Sequence, residues 1–152
     1  MTDINHLRQW ISFLKNLQHP DDYFNIGELF EKYGKEYEIG PHTFSGKRMK
    51  RHGCFQNSAN LVFENSNLIY VEGYVSVMGV PLEHAWVIDK AAPTIVIDPT
   101  LEKPNFDSEY LGIPFNTEYV RKTVLKTKVW GIISHTNRTL FKKDNDFSKI
   151  II

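Results

Sequence analysis

The chain has 152 residues, 18 of them basic and 18 acidic, with 41% hydrophobic residues and a single cysteine. That length suits one domain spanning residues 1–152 with a real core, and the balanced charge leaves no global field to draw it onto nucleic acid or an anionic membrane. One cysteine excludes an internal disulfide and the multi-cysteine zinc frameworks, and with no signal-like segment or bilayer-length apolar run the expected compartment is the cytoplasm.

In chain order, TDINHLRQWISFLKNLQHP (2–20) predicts an amphipathic helix. Thr2 or Asp3 would cap it, Ile4, Leu7, Ile11 and Leu14 recur at helical spacing, and Pro20 would end it. DDYFNIGELFEKYG (21–34) predicts a second helix, with Ile26, Leu29, Phe30 and Tyr33 on one side and Gly34 as C-terminal cap. EIGPHTFSGKRMKRHG (38–53) reads as loop, its run Lys47, Arg48, Lys50, Arg51 and His52 being of the kind that faces water. A helix follows from Cys54 to about Glu64. The texture then changes: LIYVEGYVSVMG (68–79) is rich in aromatic and β-branched residues, and LEHAWVID (82–89) and TIVID (94–98) read as two more strands around the turn DKAAP. The stretch 102–115 reads as irregular loop, NTEYVRKTVLKT (116–127) as a short helix capped by Asn116, and VWGII (129–133) as a further strand. The tail KDNDFSKIII is either frayed or docked. Helices followed by antiparallel strands make the expected class α+β.

Within this frame three residues attract chemistry. Strand alternation puts His84, Trp86 and Ile88 on one face. A hairpin centred on Ala91 sets His84 opposite Asp98, Trp86 opposite Val96 and Ile88 opposite Thr94. Cys54 precedes them at a helix N-terminus, where free N–H groups and partial positive charge favour a thiolate. An imidazole paired with a carboxylate would activate that thiol, and backbone N–H groups at the helix start would receive an oxyanion. Taken singly, each residue has a plainer reading: a small buried hydrophobe, a half-buried strand histidine, a turn-initiating aspartate. Their joint placement favours the chemical one. Gln56 and Asn57, in the first turn after Cys54, are candidate oxyanion donors or simply caps. Trp86 would wall the cleft or fill the core, and a second hairpin turning at Val80 would set Tyr74 opposite Trp86, lining the same cleft. His52 is an alternative base, disfavoured by its closeness in sequence. The remaining histidines, His6, His19, His42 and His135, show no metal-ligand spacing, so neither metal nor cofactor is expected.

Cys54 opening a helix with Ala59 five positions later, then HAWV, then IDPT, resembles the transglutaminase-like superfamily of the broader papain-like cysteine hydrolases. The longer run YVEGYVSVMGVPLEHAWVID, with IDPT and YLGIPF beyond it, is similar to a group of small bacterial and phage proteins. The resemblance covers about residues 52 to 116. It implies a papain-like fold, with N-terminal helices and a nucleophile helix packed on an antiparallel sheet. It also implies a Cys-His-Asp triad with Cys54 as nucleophile, His84 as general base and acid, and Asp98 as orienting group. No acidic cluster resembles a calcium site, so calcium-dependent cross-linking is not implied. Peptidoglycan hydrolases of the NlpC type more often have a second histidine as third residue, and arylamine N-acetyltransferases are longer and carry an acyl-CoA apparatus not found here. The implied activity is thiol-dependent acyl transfer on an amide of a protein or peptide substrate. Peptide or isopeptide hydrolysis, glutamine deamidation and transamidation all begin this way. The rival expectation is a catalytically silent binding or inhibitory module of the same fold. Neither a nucleic acid nor a membrane is expected as partner.

Overall fold

The computed structural model describes residues 5–17, 24–40, 53–101, 108–133 and 147–152. Helix α1 (Asn5–Asn16) buries Leu7, Ile11 and Leu14, and its opening N–H groups at His6 and Leu7 donate to the buried carboxylate of Glu109 at 3.2 Å each. An acidic group at that end complements the helix dipole, although it comes from a distant strand. The proposed caps Thr2 and Asp3, together with Ile4 and Pro20, lie outside the described residues. Helix α2 (Ile26–Tyr33) is capped by Asn25, whose side chain accepts from Glu28 N at 3.1 Å and donates to Lys15 O at 2.9 Å, tying the two helices together. Gly34 does cap α2, but in extended conformation (φ −64°, ψ 136°) rather than the left-handed one.

Among the described residues, five strands follow the order β1-β4-β3-β2-β5 and close into a barrel. They are β1 (Lys35–Ile39), β2 (Leu68–Val77), β3 (Val80–Asp89), β4 (Ala92–Ile97) and β5 (Glu109–Phe115). β2 and β3 form a long hairpin around Met78 and Gly79, both at positive φ (50° and 79°), as a tight two-residue turn requires. β5 pairs antiparallel with both β2 and β1. β1 then closes the ring by pairing parallel with β4, so the sheet is not wholly antiparallel as expected. β1 and β5 fall partly or wholly in stretches that the sequence reads as loop. The expected strand at 129–133 is absent: Ile132 and Ile133 instead give their N–H groups to Glu72 at 2.7 and 2.6 Å.

Two cores result. The barrel interior holds Tyr37, Ile69, Val71, Val75, Trp86, Ile88, Val96 and Tyr110, with no helix residue among them. Its outer face is covered by α1, α2, α3 (Cys54–Glu64) and α4 (Thr117–Thr127), through residues such as Leu7, Phe30, Val62 and Val120. α4 is capped by Asn116, whose side chain accepts from Glu118 N and Tyr119 N. The C-terminal tail docks: Phe147 is buried against Phe24, Ile151 bridges to Phe115, and Ile152 N donates to Pro114 O at 3.0 Å. Within the barrel, Gly112 leaves room for Trp86. A Cβ there would stand 2.6 Å from the indole ring.

Candidate active site

The site forms at the barrel rim. Val80 and Leu82 at the start of β3 are exposed, and His84 is the strand's first buried residue. Continued alternation puts His84, Trp86 and Ile88 inward. The β3–β4 register differs from the expected one. Val87 pairs with Ile97, two residues further along β4, and a bulge between Val87 and Asp89 absorbs the change near the turn. A slip of one residue would have turned the two side chains apart, whereas a slip of two keeps them on one face. His84 and Asp98 are therefore diagonal rather than directly opposed, and they meet: His84 Nε2 lies 2.7 Å from Asp98 Oδ2, with both side chains almost wholly buried.

Asp98 is saturated with donors. Its Oδ1 accepts from Thr100 N at 2.9 Å and Leu101 N at 3.0 Å, while Oδ2 takes the Tyr110 hydroxyl at 2.9 Å beside His84. Burial acts to raise the Asp98 carboxyl, but the His84 bond and charge and the two backbone N–H groups outweigh it, holding the group below its ordinary value.

Cys54 arrives from the outer layer as the first residue of α3, partly exposed and unpaired. Gly53 caps the helix without a side-chain hydrogen bond, and the first intrahelical bond is Asn57 N to Gly53 O at 2.8 Å. The N–H groups of residues 54–56 thus have no partner within the helix. Cys54 lies beside His84, near enough for hydrogen bonding and charge to act on the imidazole. Because Nε2 faces Asp98, Nδ1 is the ring nitrogen left for the thiol. Burial alone would pull the imidazole down, but Asp98 and Cys54, by hydrogen bond and negative charge, push it up to about 9. At neutral pH the imidazole beside Asp98 favours its protonated form. Near Cys54, the buried Tyr70 hydroxyl donates to Glu72 at 2.5 Å, and burial, Glu72 and the charge of Cys54 all push that phenol upward.

The other sequence candidates separate. Trp86 is fully buried and stacks on His84 (6.1 Å between ring centroids, 24° between planes), so it backs the imidazole and offers no surface to a substrate. Tyr74 pairs with Glu83, and Trp86 with Val71, so Tyr74 points to the outer face and does not share a cleft with Trp86. It lines instead a small outer recess with Phe30, Phe55, Glu72 and Glu83, with a free volume of about 10 Å³, room for a water molecule and not for a small-molecule cofactor. Asn57 is buried with its amide nitrogen on Thr100 Oγ1 at 3.0 Å, a tie between α3 and the Asp98 loop. Gln56 is exposed beside the helix start. His52 and the basic run before it lie outside the described residues. Sequence reasoning missed Tyr110, hidden in a stretch read as loop, and Thr100, although Asp-Pro-Thr carries the Asx-turn signal that places it.

Among the described residues no three His, Cys, Asp or Glu side chains are grouped to hold a metal ion, and no helix is long and apolar enough to cross a membrane. Comparison with known proteins finds no matching family model, curated protein or solved structure.

Proposed function

We propose that this chain is a cysteine acyltransferase or hydrolase acting on amides of proteins or peptides, with a papain-like, transglutaminase-like fold. One observation carries the reading. The only thiol sits at an open helix N-terminus, beside a buried histidine that a buried aspartate holds by one ring nitrogen.

The chemistry follows from the proton on His84. Thiolate Cys54 attacks the carbonyl carbon, forming a C–S bond as the carbonyl electrons move to oxygen. The N–H groups at the start of α3 face the developing oxyanion. As the tetrahedral species collapses, the C–N bond breaks, and His84 gives its proton to the departing nitrogen. A thioester on Cys54 and a neutral imidazole remain. Water or an amine then attacks the thioester, His84 accepts the nucleophile's proton, and the C–S bond breaks to release acid or new amide. Asp98 fixes the imidazole and supports its charged form without taking the proton. A lone cysteine kept as thiol suits a reducing compartment, so we place the protein in the cytoplasm.

The test is iodoacetamide labelling of Cys54 at pH 6–8 in the wild type and in His84→Ala. Rapid labelling at pH 6, falling roughly tenfold or more in the variant, is the expected result. Glutamine-containing peptides then separate the outcomes: ammonia release alone for deamidation, amine incorporation for transamidation, cleavage for hydrolysis. Equally slow labelling in both proteins would overturn the enzyme reading in favour of a binding or inhibitory module.

A further inference from the structure

The proposed chemistry makes a demand that Cys54, His84 and Asp98 do not meet by themselves. His84 must stay protonated beside the thiolate, yet release its proton to a leaving nitrogen within a turnover. A buried, fully charged carboxylate bonded to the imidazole holds that proton too firmly. The geometry points to Tyr110 as the positioning residue that moderates it, by donating its hydroxyl to the same Asp98 oxygen that binds His84.

Three observations support this. First, Asp98 Oδ2 receives both His84 Nε2 at 2.7 Å and the Tyr110 hydroxyl at 2.9 Å, so the two donors share one centre of charge. A carboxylate can only accept here, which fixes the direction of the Tyr110 bond. Second, Tyr110 is fully buried, its ring edge-on to Trp86 at 5.0 Å and 6.3 Å from His84, so the hydroxyl has no alternative orientation in water. Burial, and then the charge and bond of Asp98, push its phenol far upward, so it remains a donor throughout the working range. Third, the orientation of Asp98 does not depend on Tyr110, because Thr100 N and Leu101 N already hold Oδ1. The hydroxyl therefore acts on how much negative charge His84 feels rather than on where Asp98 points. Besides Asp98 and Tyr110, the titratable group acting on the imidazole among the described residues is Cys54 from α3, whose charge also reaches Tyr70 of β2, bonded in turn to Glu72.

This inference rests on His84 being the proton carrier, and the experiment keeps the two apart. Imidazole resonances of ¹⁵N-histidine-labelled protein report the titration of His84 directly. In Tyr110→Phe, which keeps the ring and removes only the hydroxyl, His84 is expected to titrate roughly 0.5–1 unit higher than in the wild type. With 3,5-difluorotyrosine at position 110, a stronger donor in an intact fold, it should move the opposite way. A Tyr110→Phe protein that loses thermal stability while His84 titrates as in the wild type, or lower, would overturn the moderating role and leave Tyr110 as packing. If Tyr110→Phe fails to fold, the difluorotyrosine protein alone decides by the direction of its shift. A wild-type His84 titrating near its usual 6.5 would instead sink the acyl-transfer reading itself.

Discussion

His84 and Asp98 make opposite demands on pH, and the sign of each can be worked out. The imidazole is raised from 6.5 to about 9 in the folded chain, so its contribution to stability is complete below about 6.5 and is lost as pH climbs through 9. Asp98 is lowered, so its contribution is present above its ordinary 3.8 and is lost as pH falls through the folded value. Urea unfolding of the wild type should therefore show stability falling between pH 6.5 and 9, by roughly 1–3 kcal/mol, and Asp98→Asn should flatten that slope. An unchanged slope in the variant would mean that the two groups are not coupled. The residues of this pair were legible in the sequence because a strand, a turn and a second strand placed them on one face. Their partner Tyr110 was not. Gly112 and Pro114 follow it closely, and both read as punctuation until the barrel shows why they are tolerated: one makes room for Trp86, and the other turns its carbonyl to the docked tail, and so its N away from β2, where no ladder donor is lost. Gly112→Ala is accordingly expected to cost about 1–3 kcal/mol in urea titration, through the clash with the indole ring.

At the scale of elements, the amphipathic helices and the β2–β3–β4 meander were readable because each carries its own periodicity. β1 was not, since KEYEI buries only Tyr37 and looks like polar connection. β5 failed for the opposite reason: all seven residues are buried, so no alternation marks it as a strand. The two-residue register error at β3–β4 came from a bulge that a symmetrical hairpin does not anticipate. What joins the elements into a site is the bond from Asn57 of α3 to Thr100 behind β4. Asn57→Ala leaves the thiol, the imidazole and the carboxylate in place chemically, but frees the helix from the loop. Its expected effect is about 1 kcal/mol of stability together with a several-fold slower iodoacetamide reaction. A stability loss without any change in labelling would assign Asn57 to packing alone.

The whole molecule draws the four groups from two layers: Cys54 from the outer helices, and His84, Asp98 and Tyr110 from the barrel, Tyr110 standing on a strand that does not adjoin β4. The ring closes where β1 pairs with residues 95–96 of β4 and 110–112 of β5, contacts far apart along the chain. Such closures come slowly, because the loop entropy must be lost before the pairings reward it. The β3–β4 hairpin can bring His84 to Asp98 early, but Cys54 and Tyr110 reach the pair only through elements distant along the chain. During refolding, then, the thiol would serve as a clock. Secondary structure should return first, and fast alkylation only with the final closing of the ring, so that a newly made chain passes through a folded-looking stage in which its cysteine is still chemically quiet.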